Sequence, residues 1–275
     1  MTQGAPQEPN GAAGPAFDPS VPSPARVWNF WVGGKDHFEA DRALAGRFGE
    51  VVPQMPVIAR LTRLFLADTV SQLTKAGIRH FLDIGTGLPT ADNTHEVAQR
   101  LAPDARIVYA DNDPVVLAHA RALLTSSQEG KTAYLDADLR DPAAILAQAA
   151  DTLDFSQPVA VLLVAVLHFV PDADDPYGIV KTLMDAVPSG SYLAILHGAN
   201  DVGVSDMSEA ERRYNEEASA RFSARDRSQV LRFFDGLKLT EPGLVNLSRW
   251  GQGAVGDDGA PLADVAAWVG VAVKP

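Results

Sequence analysis

The sequence contains no cysteine and no long hydrophobic run. The absence of cysteine excludes disulfides, thiolate metal sites and a cysteine nucleophile, although it fits either redox compartment. The longest uninterrupted apolar run, Val159 to Leu167, is far shorter than the ~20 residues that a membrane-spanning helix needs. The N-terminus lacks the basic and apolar regions of a secretory signal. We therefore expect a cytoplasmic protein without a transmembrane segment.

Positive charge is also scarce, since 23 Lys and Arg face 35 Asp and Glu, for a net charge of −12. A surface this negative repels phosphate backbones and anionic lipid heads, so we expect neither a nucleic-acid nor a membrane partner. The chain is 46% apolar and 21% charged, which excludes a fibrous or wholly disordered protein. Its 275 residues allow one large domain with accessory segments.

The composition changes along the chain and predicts three parts. Residues 1–21 are rich in Gly, Pro, Ala and polar groups, which predicts a disordered tail. Residues 22–78 contain two helical stretches and predict an N-terminal helical cap. Residues 79–275 form the main domain, in which the charged segment 206–222 predicts a helix. Such a helix is most often a solvated face, but in a sheet of this kind we expect a lid insertion over about 203–222, above the acceptor site.

Short apolar segments alternate with helical ones from residue 79. The strand candidates are His80 to Ile84, Arg106 to Ala110, Thr132 to Asp136, Pro158 to Leu167 and Tyr192 to Leu196. The helical candidates between them are 91–101, 114–124, 142–153 and 175–187. Connections of this length allow helical crossovers, which predicts parallel strands buried on both faces. Two later strand candidates, Leu237 to Thr240 and Ala267 to Val273, complete an α/β, doubly wound sheet.

The first strand runs into a glycine loop, FLDIGTGLPTAD, at residues 81–92. Gly85 and Gly87 let the backbone turn sharply and let a nucleotide-like ligand approach, although a tight turn alone also explains such a pair. The third glycine of the dinucleotide fingerprint is replaced by Thr90, which disfavours a pyrophosphate and hence a nicotinamide-dependent oxidoreductase. Asp83 would favour a bound ammonium group. Its alternative role is a helix cap or a hydrogen bond to loop amides.

The second and third strands also end in carboxylates. Asp111 lies 26 positions beyond Gly85, near the spacing that places an acid on a ribose diol. Asp113 directly precedes a proline and fits a helix cap better. After the third strand, Asp138 could accept an adenine amino proton while the Leu139 amide meets a ring nitrogen. These positions predict a nucleoside site at the ends of the first three strands.

The acids and glycines together resemble the class I methyltransferases that use S-adenosylmethionine. The longer segments PSPARVWNFWVGGKDHFEADRA (22–43), FLDIGTGLPTADNTHEVAQ (81–99), VYADNDPVVLAHARALL (108–124), VLLVAVLHFVPDADDP (161–176) and FFDGLKLTEPGLV (233–245) resemble a bacterial S-adenosyl methyltransferase family, formerly a domain of unknown function. The resemblance extends from about residue 22 onward. It implies a Rossmann-like sheet of seven strands with an antiparallel last strand, an N-terminal helical cap, and S-adenosyl-L-methionine as cofactor.

The resemblance also implies roles for individual residues. Those expected near the methionine part of the cofactor are Asp83, Gly85, Thr86 and Gly87. Those expected at its ribose and adenine are Asp111, Asn112, Asp138 and Leu139. Those expected below the sulfonium are Val164, Ala165 and His168. Those expected to cover the cofactor, with a cation near its carboxylate, are Arg26, Gly33, Gly34 and Lys35.

A sulfonium is already an activated methyl donor, so the protein must mainly align the reactants and exclude water. If the acceptor is a hydroxyl or an ammonium, a base must remove its proton, and His168 at the end of the most apolar strand is the catalytic candidate. The alternative is a partly buried histidine hydrogen-bonded to a loop. We predict no metal, although Asp172, Asp174 and Asp175 with His197, Asn200 and Asp201 offer oxygen-rich ligands for a divalent cation.

Two further function classes remain for comparison. A nucleic-acid methyltransferase usually carries Asn/Asp-Pro-Pro-aromatic at the fourth strand, where this chain has Ala165-Val166-Leu167-His168. A cofactor-binding sensor without transferase activity would keep the residues that hold the cofactor. We expect methyl transfer to a small-molecule acceptor. The nucleophile and the oligomeric state stay open.

Overall fold

The computed structural model describes residues 18–123, 126–251 and 262–275. Most of the tail expected at 1–21 therefore lies outside the described residues. At its end, Ser20 donates hydrogen bonds to the Asp18 carboxylate from both its amide and its hydroxyl. In the described ranges, no helix combines the length and the apolar character needed to cross a membrane.

The N-terminal region forms three helices rather than two. They are α1 (Pro24–Trp31), α2 (Glu39–Val51) and α3 (Met55–Lys75). Ser23 caps α1 by accepting a hydrogen bond from the Arg26 amide, and Pro24 takes the first helical position. The helix α1 has only eight residues, so its apolar period is too short to stand out in the sequence. The predicted cap is thus present with one additional helix.

The strands that follow are β1 (His80–Ile84), β2 (Arg106–Asp111), β3 (Lys131–Asp136), β4 (Val159–Val164), β5 (Tyr192–Gly198), β6 (Lys238–Leu239), β7 (Val245–Asn246) and β8 (Ala267–Val273). The remaining helices are α4 (Thr94–Leu101), α5 (Pro114–Leu123), α6 (Pro142–Ala149), α7 (Pro176–Asp185), α8 (Met207–Asn215) and α9 (Arg227–Leu231). The α/β class and the alternation of strands and helices are confirmed.

The sheet has the order β3-β2-β1-β4-β5-β8-β6, and the short β7 also pairs with β8. Strands β1 to β5 are parallel, while β8 runs antiparallel to β5, β6 and β7. The predicted antiparallel last strand is confirmed, and the two-residue β7 adds an eighth strand to the expected seven. Successive side chains point to opposite faces, so Phe81 packs in the core on the side of α1 to α4, and Leu82 packs in the core beneath α6 and α7.

Two predicted segments are shorter than expected. Strand β4 ends at Val164 rather than Leu167, because Ala165 adopts a left-handed φ of +63° and Leu167–Phe169 then form a 3₁₀ turn. The charged helix α8 ends at Asn215 rather than at residue 222. Its buried residues, Tyr214 among them, pack against the cap helices. Helix α8, which lies within the lid predicted at about 203–222, therefore packs into the core on the side of the cap helices.

Candidate functional site

A cavity of about 580 Å³ lies at the carboxyl ends of β1 to β4. The chain leaves β1 and β4 in opposite directions along the sheet, which creates a crevice for ligands in parallel α/β folds. The predicted site residues that line this cavity are Arg26, Asp83, Gly85, Thr86, Gly87, Asp111, Asn112, Asp138, Leu139, Val164 and Ala165. The structure thus brings together residues from four separate strand ends.

The two glycines of the loop have different reasons to be glycine. Both have left-handed backbones, with φ of +73° at Gly85 and +63° at Gly87. A Cβ on Gly85 would lie 2.3 Å from a methyl carbon of Val166, so the packing of the protein itself excludes a side chain there. A Cβ on Gly87 would meet nothing within 4 Å. The space above Gly87 is therefore open to a ligand.

Asp83 is a buried carboxyl at the end of β1, with 4% of its surface exposed. Burial raises its pKa to about 6, although a hydrogen bond from Thr94 and the charge of Arg63 oppose the shift. The Thr94 hydroxyl lies 2.6 Å from Asp83 Oδ2 at the first residue of α4. A buried acid that is costly to ionise gains from a bound cation. The Thr94 contact gives Asp83 a local structural role, and the ammonium contact stays a prediction.

Asp111 ties the glycine loop to the end of β2. One carboxylate oxygen accepts a 3.0 Å hydrogen bond from the Gly87 amide, and the other accepts a 2.9 Å bond from the Asp113 amide. Burial raises the pKa of Asp111. The carboxylate of Asp113 accepts a 2.8 Å bond from the Val115 amide in the first turn of α5, as its proline neighbour predicts. Asp111 therefore both supports the loop and faces the cavity.

The end of the cavity near β3 is polar and more open. Asn112 Nδ2 donates to Asp138 Oδ2 at 3.1 Å, and Arg140 donates to the same carboxylate from its amide and its guanidinium. Leu139 beside them is buried. An apolar side chain flanked by an amide and a carboxylate suits a planar, hydrogen-bonding ring such as adenine.

The N-terminal block contributes one of its four predicted residues to the cavity. Arg26 lines it, and its guanidinium is paired with Asp41 at 2.9 Å with both side chains buried. Gly33, Gly34 and Lys35 do not line the cavity. The chain turns away after α1, and a Cβ on Gly34 would lie 2.4 Å from the Asn29 amide group. Within this block, the contacts with the cavity come instead from residues on and before α1, such as Ser23 and Trp28.

Arg63 on α3 lines the cavity, and sequence reasoning did not single it out. Its Nη2 donates to the carbonyls of Ala91 and Asp92, both at 3.0 Å. Its buried Nε has no hydrogen-bond partner among the described residues. Burial lowers the pKa of Arg63, and the charge of Asp83 counters this. Because the rest of α3, a short connection and strand β1 separate Arg63 from the glycine loop, no local motif pointed to it.

His168 lies in the 3₁₀ turn after β4 and does not line this cavity. Its ring is buried and packs against Phe169, Phe222 and His197. Its Nδ1 accepts a long hydrogen bond of 3.4 Å from the Gly198 amide. Burial lowers the pKa of His168 well below its ordinary value, so the imidazole is neutral.

The acids considered as cation ligands are engaged elsewhere. Asp172 pairs with the buried Arg225 at 2.6 Å, and Asp174 pairs with Arg140 at 2.8 Å. Asp175 caps α7 through the Gly178 amide. In the described ranges, no group of three or more histidine, aspartate or glutamate side chains is arranged to hold a metal ion.

Comparison with known proteins gives the chain's relatives. A sequence model described as S-adenosyl methyltransferase matches residues 10–275. A crystal structure of a DUF574 family protein from Streptomyces avermitilis is 41% identical, covers 94% of this chain and 99% of that chain, and has a TM-score of 0.88. One described as a candidate methyltransferase, from Thermobifida fusca, is 38% identical, covers 93% and 96%, and has a TM-score of 0.83.

A more distant structure shows similarity of fold alone. An O-methyltransferase family protein from Burkholderia thailandensis is 16% identical, covers 80% of this chain and 60% of that chain, and has a TM-score of 0.51. A search of the curated proteins found no match. The family model and the first two structures thus agree on the family, and the more distant structure agrees on the fold.

Proposed function

This chain belongs to the S-adenosyl methyltransferase family and takes S-adenosylmethionine as its cofactor, and we propose that it transfers the methyl group to a small-molecule acceptor. The supporting observation is a link between two segments that line the cavity, which we call the bridge. The Ser219 amide donates a 3.0 Å hydrogen bond to the Pro22 carbonyl, and Val21, Ser23 and Ser219 all line the cavity. An acceptor has to enter a cavity whose lining segments are joined by this bridge, which favours a small molecule over a folded protein or a nucleic-acid duplex.

The polar groups around the cavity fit the parts of the cofactor. Asp83 would hold the ammonium of the methionine, because burial makes its ionisation costly even beside Arg63 and a bound cation would offset that cost. Arg63, which lines the cavity, would hold the carboxylate with its guanidinium, in the role that the resemblance implied for the N-terminal block. Asp111 would accept hydrogen bonds from the ribose, and Asp138 with Leu139 would contact adenine.

When bound, S-adenosylmethionine supplies a methyl group that its positive sulfur already activates. The chain's residues then have to orient the reactants and exclude water. The glycine loop and Asp111 orient the nucleoside. The apolar side chains of Trp28 and Phe169, which line the cavity together with the bridge, would limit the access of water. Val164 and Ala165 would form the floor near the reacting methyl group.

Isothermal titration with S-adenosylmethionine, S-adenosylhomocysteine and NAD tests the cofactor site. We expect binding of the two adenosyl ligands and none of NAD. Methyl transfer to a pool of small metabolites, followed by mass spectrometry, then tests the acceptor class. Transfer to a protein or nucleic-acid fraction and not to small molecules would refute the proposal. Cofactor binding without transfer to any fraction would identify a sensor instead.

A further inference from the structure

The polar groups assigned to the cofactor do not account for the whole lining of the cavity. A further part is formed by residues on and before α1, by Phe169 after β4, and by residues 219 and 220 beyond α8. We call this part the cap wall, and its apolar members are Val21, Pro24, Ala25, Trp28, Phe169 and Ala220. Sites for small molecules typically measure about 300–1,000 Å³, so an acceptor that shares this cavity with the cofactor has to be small.

Hydrogen bonds join the three segments of the cap wall. The bridge connects the segment before α1 to Ser219. Four residues further along the chain, the Ser223 amide donates a 2.8 Å hydrogen bond to the carbonyl of His168, the residue before Phe169. The cap wall is therefore a continuous surface built from three distant parts of the chain.

The cap wall carries a cation whose charge is cancelled inside the protein. Arg26 Nε lies 2.9 Å from Asp41 Oδ2, and both side chains are buried. The guanidinium also donates to the Val21 carbonyl. Because a carboxylate at this distance cancels the positive charge, Arg26 offers little attraction to an anionic ligand.

Asp18 leaves the cap wall with a net negative charge. Its exposed carboxylate accepts hydrogen bonds at Oδ1 from the hydroxyl and the amide of Ser20. These hydrogen bonds lower the pKa of Asp18, so the group is ionised at neutral pH. An anionic group at this wall is repelled, whereas a cationic group is attracted.

The ionisable side chains of the cavity also disfavour a hydroxyl acceptor. Those among the described lining residues are five aspartates and three arginines. A hydroxyl with a pKa of about 10 or higher has to lose a proton, for which aspartate is a weak base, while arginine stays protonated. His168 lies outside this lining, and burial lowers its pKa well below the ordinary value. An uncharged amine needs no base, because its nitrogen already carries a lone pair.

We propose that the cap wall binds the acceptor and that the acceptor is a small apolar amine, which is methylated at nitrogen. The inference rests on the proposed function and names the class of its acceptor. The amine lone pair forms the new nitrogen–carbon bond while the sulfur–carbon bond breaks and leaves its electron pair on sulfur. The positive charge moves to nitrogen, where Asp18 and the rings of Trp28 and Phe169 favour a cation. A primary or secondary amine then releases one proton to water.

A binding experiment tests the charge preference with benzylammonium, benzyl alcohol and benzoate, which share one ring and differ in their polar group. The protein is saturated with S-adenosylhomocysteine, so that benzylammonium reproduces the charges of the products. Ligand-observed NMR titration should show the tightest binding for benzylammonium and none for benzoate. Absent binding of benzylammonium, or benzoate binding of equal or higher affinity, would overturn the proposal.

Two aspartate variants locate the effect within the protein. Asp18→Asn keeps an oxygen for the Ser20 hydrogen bonds but removes the charge, so it should weaken benzylammonium about twofold to fivefold and leave benzyl alcohol unchanged. The matched control is Asp151→Asn, which changes the net charge equally at an exposed residue outside the cavity lining. It should alter neither affinity. No loss in Asp18→Asn, or an equal loss in both variants, would overturn the proposal.

A transfer experiment tests the nucleophile. Small metabolites are separated by ion exchange into cationic, neutral and anionic fractions and incubated with the protein and methyl-labelled S-adenosylmethionine. We expect label in the cationic fraction alone, in products that resist alkaline hydrolysis. Label in the neutral or anionic fraction instead would overturn the amine proposal and leave the proposed function intact. Label in none of the three fractions would contradict the proposed function and the inference together.

Discussion

The polar groups at the ends of β1 to β3 are satisfied differently from those in the ring cluster, which is formed by Phe48, Phe169, Tyr214 and Phe222. At the strand ends, the carboxylates of Asp83, Asp111 and Asp138 already accept hydrogen bonds from neighbouring residues, so the site is formed before any ligand arrives. In the ring cluster, the Tyr214 hydroxyl is buried and makes no hydrogen bond to any described residue. The half expected to hold the cofactor is therefore preorganised by polar contacts, whereas the ring cluster is held by apolar packing.

The largest effect that would sharpen this contrast is expected at Asp111. Asp111→Ala removes the acceptor for the Gly87 amide and for the ribose, so cofactor binding should weaken by about 2–4 kcal/mol. Titration calorimetry with S-adenosylhomocysteine measures it. Asp113→Ala, which removes only a contact in the first turn of α5, should change the affinity little. Unchanged affinity in folded Asp111→Ala would contradict the role of Asp111 in binding the cofactor.

A second prediction concerns the cost of keeping Asp83 buried. Its pKa of about 6 in the folded protein exceeds the ordinary value of 3.8, so the destabilisation grows as the pH rises from about 4 to 6 and is constant above. Asp83→Asn should therefore stabilise the unliganded protein by about 1–3 kcal/mol at pH 8 and have little effect at pH 4. Urea unfolding at both pH values checks this. A variant less stable than the wild type at pH 8 would show that Asp83 serves the fold more than the ligand.

The same carboxyl should make cofactor affinity depend on pH. Below pH 6, Asp83 becomes neutral and loses its attraction for an ammonium, so the affinity for S-adenosylhomocysteine should fall by up to about tenfold per pH unit. Methylthioadenosine, which lacks the amino acid end, should bind with a weaker pH dependence. Titrations between pH 5 and 8 measure both ligands. Parallel pH profiles would exclude Asp83 as the ammonium contact.

The smallest expected effect tests Arg63 at the same end of the cofactor. Arg63→Gln should weaken S-adenosylhomocysteine about fivefold to tenfold through loss of a charged donor to the carboxylate. Methylthioadenosine has no carboxylate and serves as the matched ligand, with its affinity unchanged. Equal losses for the two ligands would mean that Arg63 acts by supporting the loop at Ala91 and Asp92.

Much of the strand-end site could be predicted because each part of it is local in sequence. Asp83 and the glycines lie within five residues, Asp111 is the last residue of β2, and Asp138 lies just beyond the end of β3. Residues that follow parallel strands meet at one edge of the sheet, so the strand pattern was sufficient to bring them together. The prediction for Gly33, Gly34 and Lys35 had no such basis, and these residues do not line the cavity.

The roles of Arg63 and of the ring cluster could not be predicted from local sequence motifs. Arg63 belongs to a helix that ends before β1, and its place at the cavity depends on how α3 packs against the sheet. The end of β4 was misjudged because an apolar run does not reveal the left-handed turn at Ala165. His168 was therefore expected at the floor of the cofactor pocket, whereas the structure places its ring against Phe169 and Phe222 of the ring cluster.

The sequence by itself determined the α/β class, the order of the main strands and helices, and the acids at the strand ends, because periodicity and strand-end motifs are local properties of the chain. Only the tertiary structure decided which helices cover the cavity and which cation faces Asp83. It also decided that Phe48, His168, Tyr214 and Phe222 lie together. The physical reason is that these contacts join segments far apart in the chain. Their packing depends on the shape of all the surfaces together.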